Sequence, residues 1–452
     1  MKRGLTKELV LELSQRKKDP QWMRNLRLRA LEIYQELPLP SYGPDLSGLD
    51  IDNIATYVEP KTAMVESWEE VPAEIRNTFE KLGIPQAERE GLAGVGAQYD
   101  SELVYHNIKQ QIAAAGVVYL PMEEAVKSQQ MIKVNGKKQR IATVVRSHFM
   151  KLVPPADHKF AALHAAVWSG GSFVYVPEKV AVEIPLQSYF RFNAPAAGQF
   201  EHTLIIVEED ADLHFIEGCS APRYNVANLH AGCVELYVGK NARLKYSTVE
   251  SWSKNMYNLN TKRGTVAAGG RVEWVTGSFG SCVSMLYPMS ILAGEGARAE
   301  YTGVTFAGEG QTLDTGLKIV HAAPKTCSFV DARSLAKDGG SCTYRSKVKI
   351  LKGAKGAKSF ADCKSLMLDN KSRSDTVPLV EVSEPSAEVG HEAAVGKIGE
   401  REVYYLMSRG LSEIQARALI VRGFTDDVSK ELPVEYAMEM NNLITMEMEG
   451  NT

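Results

Sequence analysis

Apolar residues along the first 40 positions return at helical spacing. The stretch "TKELVLELSQRKKDPQWMRNLRLRALEIYQEL" predicts two helices, broken near Asp19–Pro20 because proline lacks the backbone donor that a helix interior needs. "LPLPSYGPDLSGLD" follows as a Pro/Gly/Ser linker. "SELVYHNIKQQIAAAG" predicts another helix, with Ser101 as its cap and Gly116 as its stop. From about Ser169 the period drops to two. "GGSFVYVPEKVAVEIPLQSYFRFN", "HTLIIVEEDADLHFIEG", "CVELYVGKNARLKYSTVES" and the segments after them alternate apolar with polar, the pattern of half-buried strands.

These strands repeat. A turn, a small residue and an alternating strand recur at Ala211, Ala242, Gly270, Ala297, Thr326 and Ala357, at intervals of 31, 28, 27, 29 and 31 residues. A near-constant period of this length, made only of strands and turns, is the signature of a solenoid. A β-sandwich is the main alternative, but its turns do not recur at one fixed long period. From "KIGEREVYYLMSRG" the helical period returns. Gly410 ends a first helix, Ser412 and Gln415 form a capping box for a second that Gly423 closes, and "VEYAMEMNNLITMEMEG" is the last. The expected fold is mainly β: a parallel β-helix core flanked by helical N- and C-terminal regions. The expected divisions are 1–150 helical or mixed, 151–380 β-helix, and 381–452 helical.

Composition narrows the function classes. The 452 residues are 44% hydrophobic and 24% charged, with a net charge of −3. That balance argues against a nucleic-acid binder, which needs a basic face. The N-terminal stretch does not resemble a signal peptide, and no apolar run approaches the ~18 residues that suggest a membrane span. A cytoplasmic protein with neither nucleic acid nor membrane as partner is expected.

The six cysteines, Cys219, Cys233, Cys282, Cys327, Cys342 and Cys363, include no CxxC pair, and each has a plain reading as a small buried hydrophobe. Gly353–Ser359 fails the spacing of a phosphate loop and reads as a coil turn. With no Walker motif elsewhere, the chain is not expected to hydrolyse ATP. Cys363, in "FADCKSL", stands out because Lys358, Lys364 and Arg373 lie near it in sequence, and positive neighbours favour a thiolate. "EVGHEAAVG" brings His391 and Glu392 to the solenoid–helix junction, as a loop that folds back on the last coil. Cysteine, histidine and carboxylate together suit iron held transiently, since a permanent cluster usually takes four thiolates. The plainer reading of His391–Glu392 is an exposed pair.

Longer stretches carry a resemblance. "KFAALHAAVWSGGSFVYVP", "EIPLQSYFRFN", "EGCSAP", "YNLNTKR", "KSRSDTVP", "GHEAAV", "YYLMSRGLS" and "GFTDDVSKELPVEYA" resemble the SufB family, scaffold subunits of the SUF iron–sulfur cluster assembly system, over nearly the whole chain. The resemblance implies a right-handed β-helix with a helical C-terminal domain. It also implies a SufC ATPase docked on that domain, and pairing through the β-helix with SufD or a second SufB. Sulfur would come from a cysteine desulfurase through a transfer protein, and apo-proteins would receive a [4Fe-4S] or [2Fe-2S] cluster built transiently here. Reduced flavin (FADH2) is implied as an electron source for some of the family. The family's sulfur-accepting cysteine matches Cys219. Its cluster-binding, sulfur-receiving cysteine matches Cys363, and its carboxylate ligand matches Glu392, with His391 beside it. Arg191, Asn193, Trp252 and Lys262 match positions lining the sulfur route, and Glu250 stands where some members carry glutamine. The chain departs from some relatives in having no cysteine before Cys219 and no insertion after Trp252.

Spacing adds to this. Cys219 and Cys363 are 144 residues apart. That is about five coils, or ~24 Å at the spacing of neighbouring strands. Thiols so far apart form neither a disulfide nor one cluster, but they can be two ends of a relay. Trp252 and Lys262 fall between them in sequence and are expected between them in space. Taken singly, Trp252 also reads as solenoid core and Lys262 as an edge charge. Two other readings compete: a SufD-like structural subunit that holds no cluster, and a β-helix carbohydrate enzyme.

Overall fold

The computed structural model describes residues 4–58, 94–134, 136–432 and 434–449. The alternating stretches wind into a β-solenoid of about eight turns. Its first sheet stacks Ala181–Arg191, Asp212–Ser220, Arg243–Ser251, Arg271–Phe279, Arg298–Ala307, Cys327–Ala336, Lys358–Met367 and Glu388–Lys397, each parallel to the next. The second sheet carries the return strands, among them His202–Val207, Cys233–Val238, Thr261–Val266 and Met289–Leu292. In these early coils a corner separates a short extra strand, such as Asn228–His230 or Met256–Asn258. From Thr312–His321 onward one ten-residue strand spans both parts, and it pairs with both Val283–Leu286 and Met289–Leu292.

The repeat read from the sequence is a physical column. The strand starts Asp212, Arg243, Arg271, Arg298, Cys327 and Lys358 are Cα partners from coil to coil. The residues just before them, Ala211, Ala242, Gly270, Ala297, Thr326 and Ala357, are therefore stacked, and all are buried. A Cβ on Gly270 would sit 2.7 Å from the Gly239 carbonyl oxygen, so the turn leaves no room for bulk. Inside the solenoid the pleat stacks like on like. Leu213, Leu244, Val272 and Ala299 form one row, and Phe215, Tyr246, Trp274 and Tyr301 another. Neighbouring ring centroids in the second row lie 5.7 Å (Phe215–Tyr246) and 5.6 Å (Tyr246–Trp274) apart. Each such side chain contributes about 1.5–3 kcal/mol by leaving water.

The N-terminal helices form where the spacing placed them, at Lys7–Arg16 and Gln21–Glu36, with the Thr6 hydroxyl capping the first. Arg27 on the second is wholly buried, salt-bridged to Asp19 at 2.7 Å, bonded to the Trp168 carbonyl at 3.0 Å and set over the Trp168 ring. The helix expected after Ser101 is instead mostly strand. Glu102–Ile108 pairs antiparallel with Gly94–Tyr99, which itself lies parallel to Ala181–Arg191. Only Gln110–Ala114 is helical. Bonding to an open sheet edge outweighs local helix preference here. Of the region expected to run over 1–150, residues 1–3, 59–93 and 135 lie outside the described residues.

At the other end, "EVGHEAAVG" is no loop. It lies within the last strand, Glu388–Lys397, and the helices begin at Glu400. The Ser412–Gln415 capping box forms as expected. Gly423 does not end the second terminal helix, which runs Glu413–Lys430. Val421, Thr425 and Val428 around it are buried against the solenoid, and this packing outweighs the ~1 kcal/mol that glycine costs a helix. The three terminal helices turn back along the first sheet. Val421, Val428, Met440 and Ile444 cover the outward residues Ile216, Val249, Val275 and Phe306. Replacing Ala297 by leucine should overfill the stacked column and cost about 1–3 kcal/mol, read as a lower denaturation midpoint.

Candidate functional site

Cys219 ends the first-sheet strand Asp212–Ser220 and points inward, because it shares its pleat with Leu213, Phe215 and Glu217. Its Cα partner on the next coil is Glu250. Around it lies a buried charged cluster. Lys262 Nζ donates to the Thr248 hydroxyl at 2.9 Å and stands 3.4 Å from Glu217 and 3.6 Å from Glu250. Asn258 donates to Glu250 at 2.7 Å and faces His230 Nδ1 at 2.8 Å, while His230 Nε2 meets Glu201. The Tyr246 hydroxyl donates to Glu217. Gly232 makes this possible, since a Cβ there would lie 2.1 Å from Glu201 Oε1.

Burial pushes the Cys219 thiol well up, and Glu217, Glu250 and Glu201 push it further while Lys262 opposes them. Burial also raises Glu217, with Lys262 opposing. Burial alone would lower Lys262, but Glu217, Glu250 and Cys219 outweigh it and hold the ammonium above its usual range. Trp252 is 3% exposed and tilted against the His230 ring at 4.6 Å, with its indole N–H unpartnered in the protein. It packs with Cys219 and also lines a pocket of about 190 Å³ with Arg223, Lys254, Phe279 and Leu443 of the last helix. Arg191 donates to the Ser220 hydroxyl at 3.1 Å. The Asn193 backbone N–H donates to Asp100 at 2.6 Å, and burial lifts that carboxyl to about 6.

Two inward rows run from here toward Cys363. One passes Glu217, Thr248, Thr276, Gly303, Ala332 and Cys363; the other passes Cys219, Glu250, Ser278, Thr305, Ser334 and Ser365. Beyond the charged cluster both rows hold only small residues. Cys363 is five strands along the first sheet from Cys219. Its Sγ lies 3.8 Å from His391 Nε2 on the last strand, and Tyr344 is beside it. Burial pushes the Cys363 thiol up to about 12, with Tyr344 opposing and Asp362 and Asp331 adding to the rise. The expected thiolate-favouring cations do not act. Lys364, Lys358 and Arg373 pair with Asp362, Glu388 and Asp375 at 2.6, 2.9 and 2.6 Å.

The site residues therefore fall into two groups. Arg191, Asn193, Glu250, Trp252 and Lys262 all gather at the Cys219 end, within one coil of it. Trp252 and Lys262 do not stand midway to Cys363. His391 meets Cys363. Glu392 is the Cα partner of Asp362 and, being next to His391 on a strand, faces the opposite side from Cys363. Both His391 and Glu392 are exposed. The small-residue rows and Tyr344 went unnoticed in the sequence; their signal was a run of Gly, Ala, Ser and Thr at alternate strand positions.

Replacing Lys262 by methionine should cost about 3–5 kcal/mol at neutral pH by leaving Glu217 and Glu250 buried without a counter-charge. Because Glu217 titrates above its usual range, the deficit should shrink as pH falls and Glu217 is protonated, which denaturation at neutral and acid pH would read. Alkylation of Cys363, followed by peptide mass mapping, should rise about tenfold per pH unit past the ~8.5 of an ordinary thiol and flatten only near its raised value.

Comparison with known proteins agrees with this architecture. Residues 190–424 match the family model for the SufBD core domain of SUF-system FeS cluster assembly. The chain is 48% identical over 449 residues to the iron–sulfur cluster assembly protein SufB of Bacillus subtilis, covering 99% of this chain and 94% of that one. It is 47% identical to a SufBD family cluster assembly protein of Staphylococcus epidermidis and 46% identical to one of Staphylococcus aureus, with the same coverage. A stacked solenoid with inward-facing cysteines and a full-length match of this strength lead to one conclusion: the chain belongs to the SufBD family of iron–sulfur cluster assembly proteins.

Proposed function

We propose that this chain is the scaffold on which the cluster is built, with sulfur accepted at Cys219 and delivered along the solenoid interior to Cys363. The observation that carries this reading is the pair of inward small-residue rows joining the two cysteines. At Cys219, the thiolate attacks the outer sulfur of a donor persulfide and the donor thiolate leaves. The donor class is a cysteine desulfurase with its transfer protein. Lys262 offsets the negative charge that arrives. Because ~24 Å is beyond any direct thiol exchange, sulfur crosses as a small hydrosulfide ion. Releasing it takes two electrons and two protons: the Cys219 persulfide anion becomes thiol plus hydrosulfide. The electrons come from an external reductant, the role the family resemblance gives to FADH2. The pocket beside Trp252, at about 190 Å³, is below the ~300–1,000 Å³ usual for such ligands, so the residues there do not fit a flavin. The flavin would act from elsewhere in a complex.

At the receiving end, Cys363 and His391 hold incoming iron and sulfide. Glu392, on the opposite face of the last strand, is not brought to Cys363 by this arrangement. Among the described residues the last strands of both sheets are unpaired on one side and expose Val377, Leu379, Val380, Val382, Val389 and Val395, a surface suited to SufD or a second copy of this chain. Tyr404, Tyr405, Met407, Ile414 and Met438 are exposed on the terminal helices and suit a SufC-type ATPase. The last helix reaches the pocket at Trp252, so movement of these helices would act at the sulfur-entry end as well as at the Cys363 end. No helix among the described residues is long and apolar enough to cross a membrane. A SufD-like subunit without a cluster is the second reading, and anaerobic reconstitution separates the two.

Cys363→Ser should abolish cluster assembly as followed by absorption spectroscopy. Ala332→Leu should leave persulfide formation at Cys219 intact while stopping sulfide arrival at Cys363. Unimpaired assembly in both variants would remove the relay.

A further inference from the structure

A second cluster of ligand-type side chains lies outside the solenoid interior, on the outer face of the second sheet. His164 comes from the helix Lys159–Val167, His202 from the strand His202–Val207, and Cys233 is the Cα partner of His202 on the next strand. One ring nitrogen from each histidine and the Cys233 sulfur lie within 4.8 Å of one another, and the three residues are 1%, 0% and 1% exposed. His164 Nε2 and His202 Nδ1 face each other at 3.0 Å. Two imidazole nitrogens on one tetrahedral Zn²⁺ stand roughly 3.3 Å apart.

The surroundings are those of a metal site. His164 Nδ1 is bonded to the Ala231 carbonyl at 3.0 Å, which turns Nε2 toward the cluster as the lone-pair nitrogen. His202 Nε2 faces the Glu235 carboxylate at 3.2 Å, which leaves Nδ1 as the ring nitrogen turned toward the cluster. Glu235 is itself wholly buried and accepts from the backbone N–H groups of Met150, Leu152 and Val153 at 2.6, 2.6 and 3.0 Å. Phe149 stacks on His202 at 3.9 Å and excludes water. The Met150 sulfur is 4.0 Å from that of Cys233.

We propose that His164, His202 and Cys233 form a buried site for one divalent d-block cation, Zn²⁺ fitting best, which pins the N-terminal helical layer to the solenoid. A thiolate from Cys233 and the carboxylate of Glu235 balance the two positive charges, as a fully buried ion requires. Two nitrogens and one sulfur suit zinc better than the oxygen-seeking Mg²⁺ or Ca²⁺. All three side chains are buried, so the ion's role is to tie the helical layer to the solenoid, and the site is independent of the proposed route between Cys219 and Cys363.

The test loads the full chain with Zn²⁺, dialyses it, and measures bound metal together with zinc-edge X-ray absorption. Wild type and Cys363→Ser should each keep one equivalent, with a nitrogen-and-sulfur shell. Cys233→Ala should bind at least about 100-fold more weakly, and Glu235→Gln about 10–100-fold more weakly. Should Cys233→Ala fail to fold, Co²⁺-loaded wild type decides: a thiolate-to-cobalt charge-transfer band that survives in Cys363→Ser supports the site, and its absence overturns it. Folded wild type that retains no zinc, Cys233→Ala that binds as wild type, or binding lost in Cys363→Ser would each overturn it too.

Discussion

The parallel hydrogen-bond ladder is the constraint from which the rest follows. It holds each coil over the last at ~4.8 Å and in fixed register, so whatever residue occupies one position meets its counterpart on the next coil. Rows of leucine and valine, of aromatic rings, and of small turn residues are the outcome, and each stabilises its neighbours. A solenoid of this kind is held by nearest-coil contacts, so its interior can change character along the axis without loss of the fold. Along two of its inward rows it changes from a charged cluster around Cys219 to glycine, alanine, serine and threonine on the way to Cys363.

That change of character is costly at one end. Glu201, Glu217, Glu250, Lys262 and His230 are all buried within the early coils. Replaced by apolar residues of similar volume, such a group would often be no less stable. Its retention beside an inward cysteine is easier to understand as a means of handling charge than as a means of holding the coils together. At the far end the balance reverses. Cys363 lies under a single exposed strand, its thiol held protonated by burial, so a bound metal would have to displace the proton. The two cysteines share chemistry but not environment, and the ladder is what separates them.

The C-terminal helices tie both ends together. Their apolar residues cover the outward face of the first sheet, while their far faces expose tyrosine, methionine and isoleucine. One face of these helices is thus fixed to the core while the opposite, partly apolar face is left uncovered.

Much of this was legible in the chain itself. Alternation at period two and the small residues at Ala211 through Ala357 determine the solenoid, because alternate residues of each strand turn into the coil and only a small residue fits each turn. The helices at Lys7–Arg16 and Gln21–Glu36 and the Ser412 capping box follow from local rules as well. The same rules misplaced what depends on neighbours. Glu102–Ile108 became a strand because a sheet edge was open beside it, Gly423 stayed helical because its flanking residues are buried, and "EVGHEAAVG" became the last coil because Lys358–Met367 offered it a ladder. The site divides likewise. Cys219 and Cys363, five coils apart, could be read from residue counting. Only the tertiary structure decided that Lys262 and Trp252 stand at the first cysteine, that His391 and not Glu392 shares the face of the second, and that His164, His202 and Cys233 meet at all. Those are contacts between residues far apart in sequence, fixed by the pleat and by register across coils.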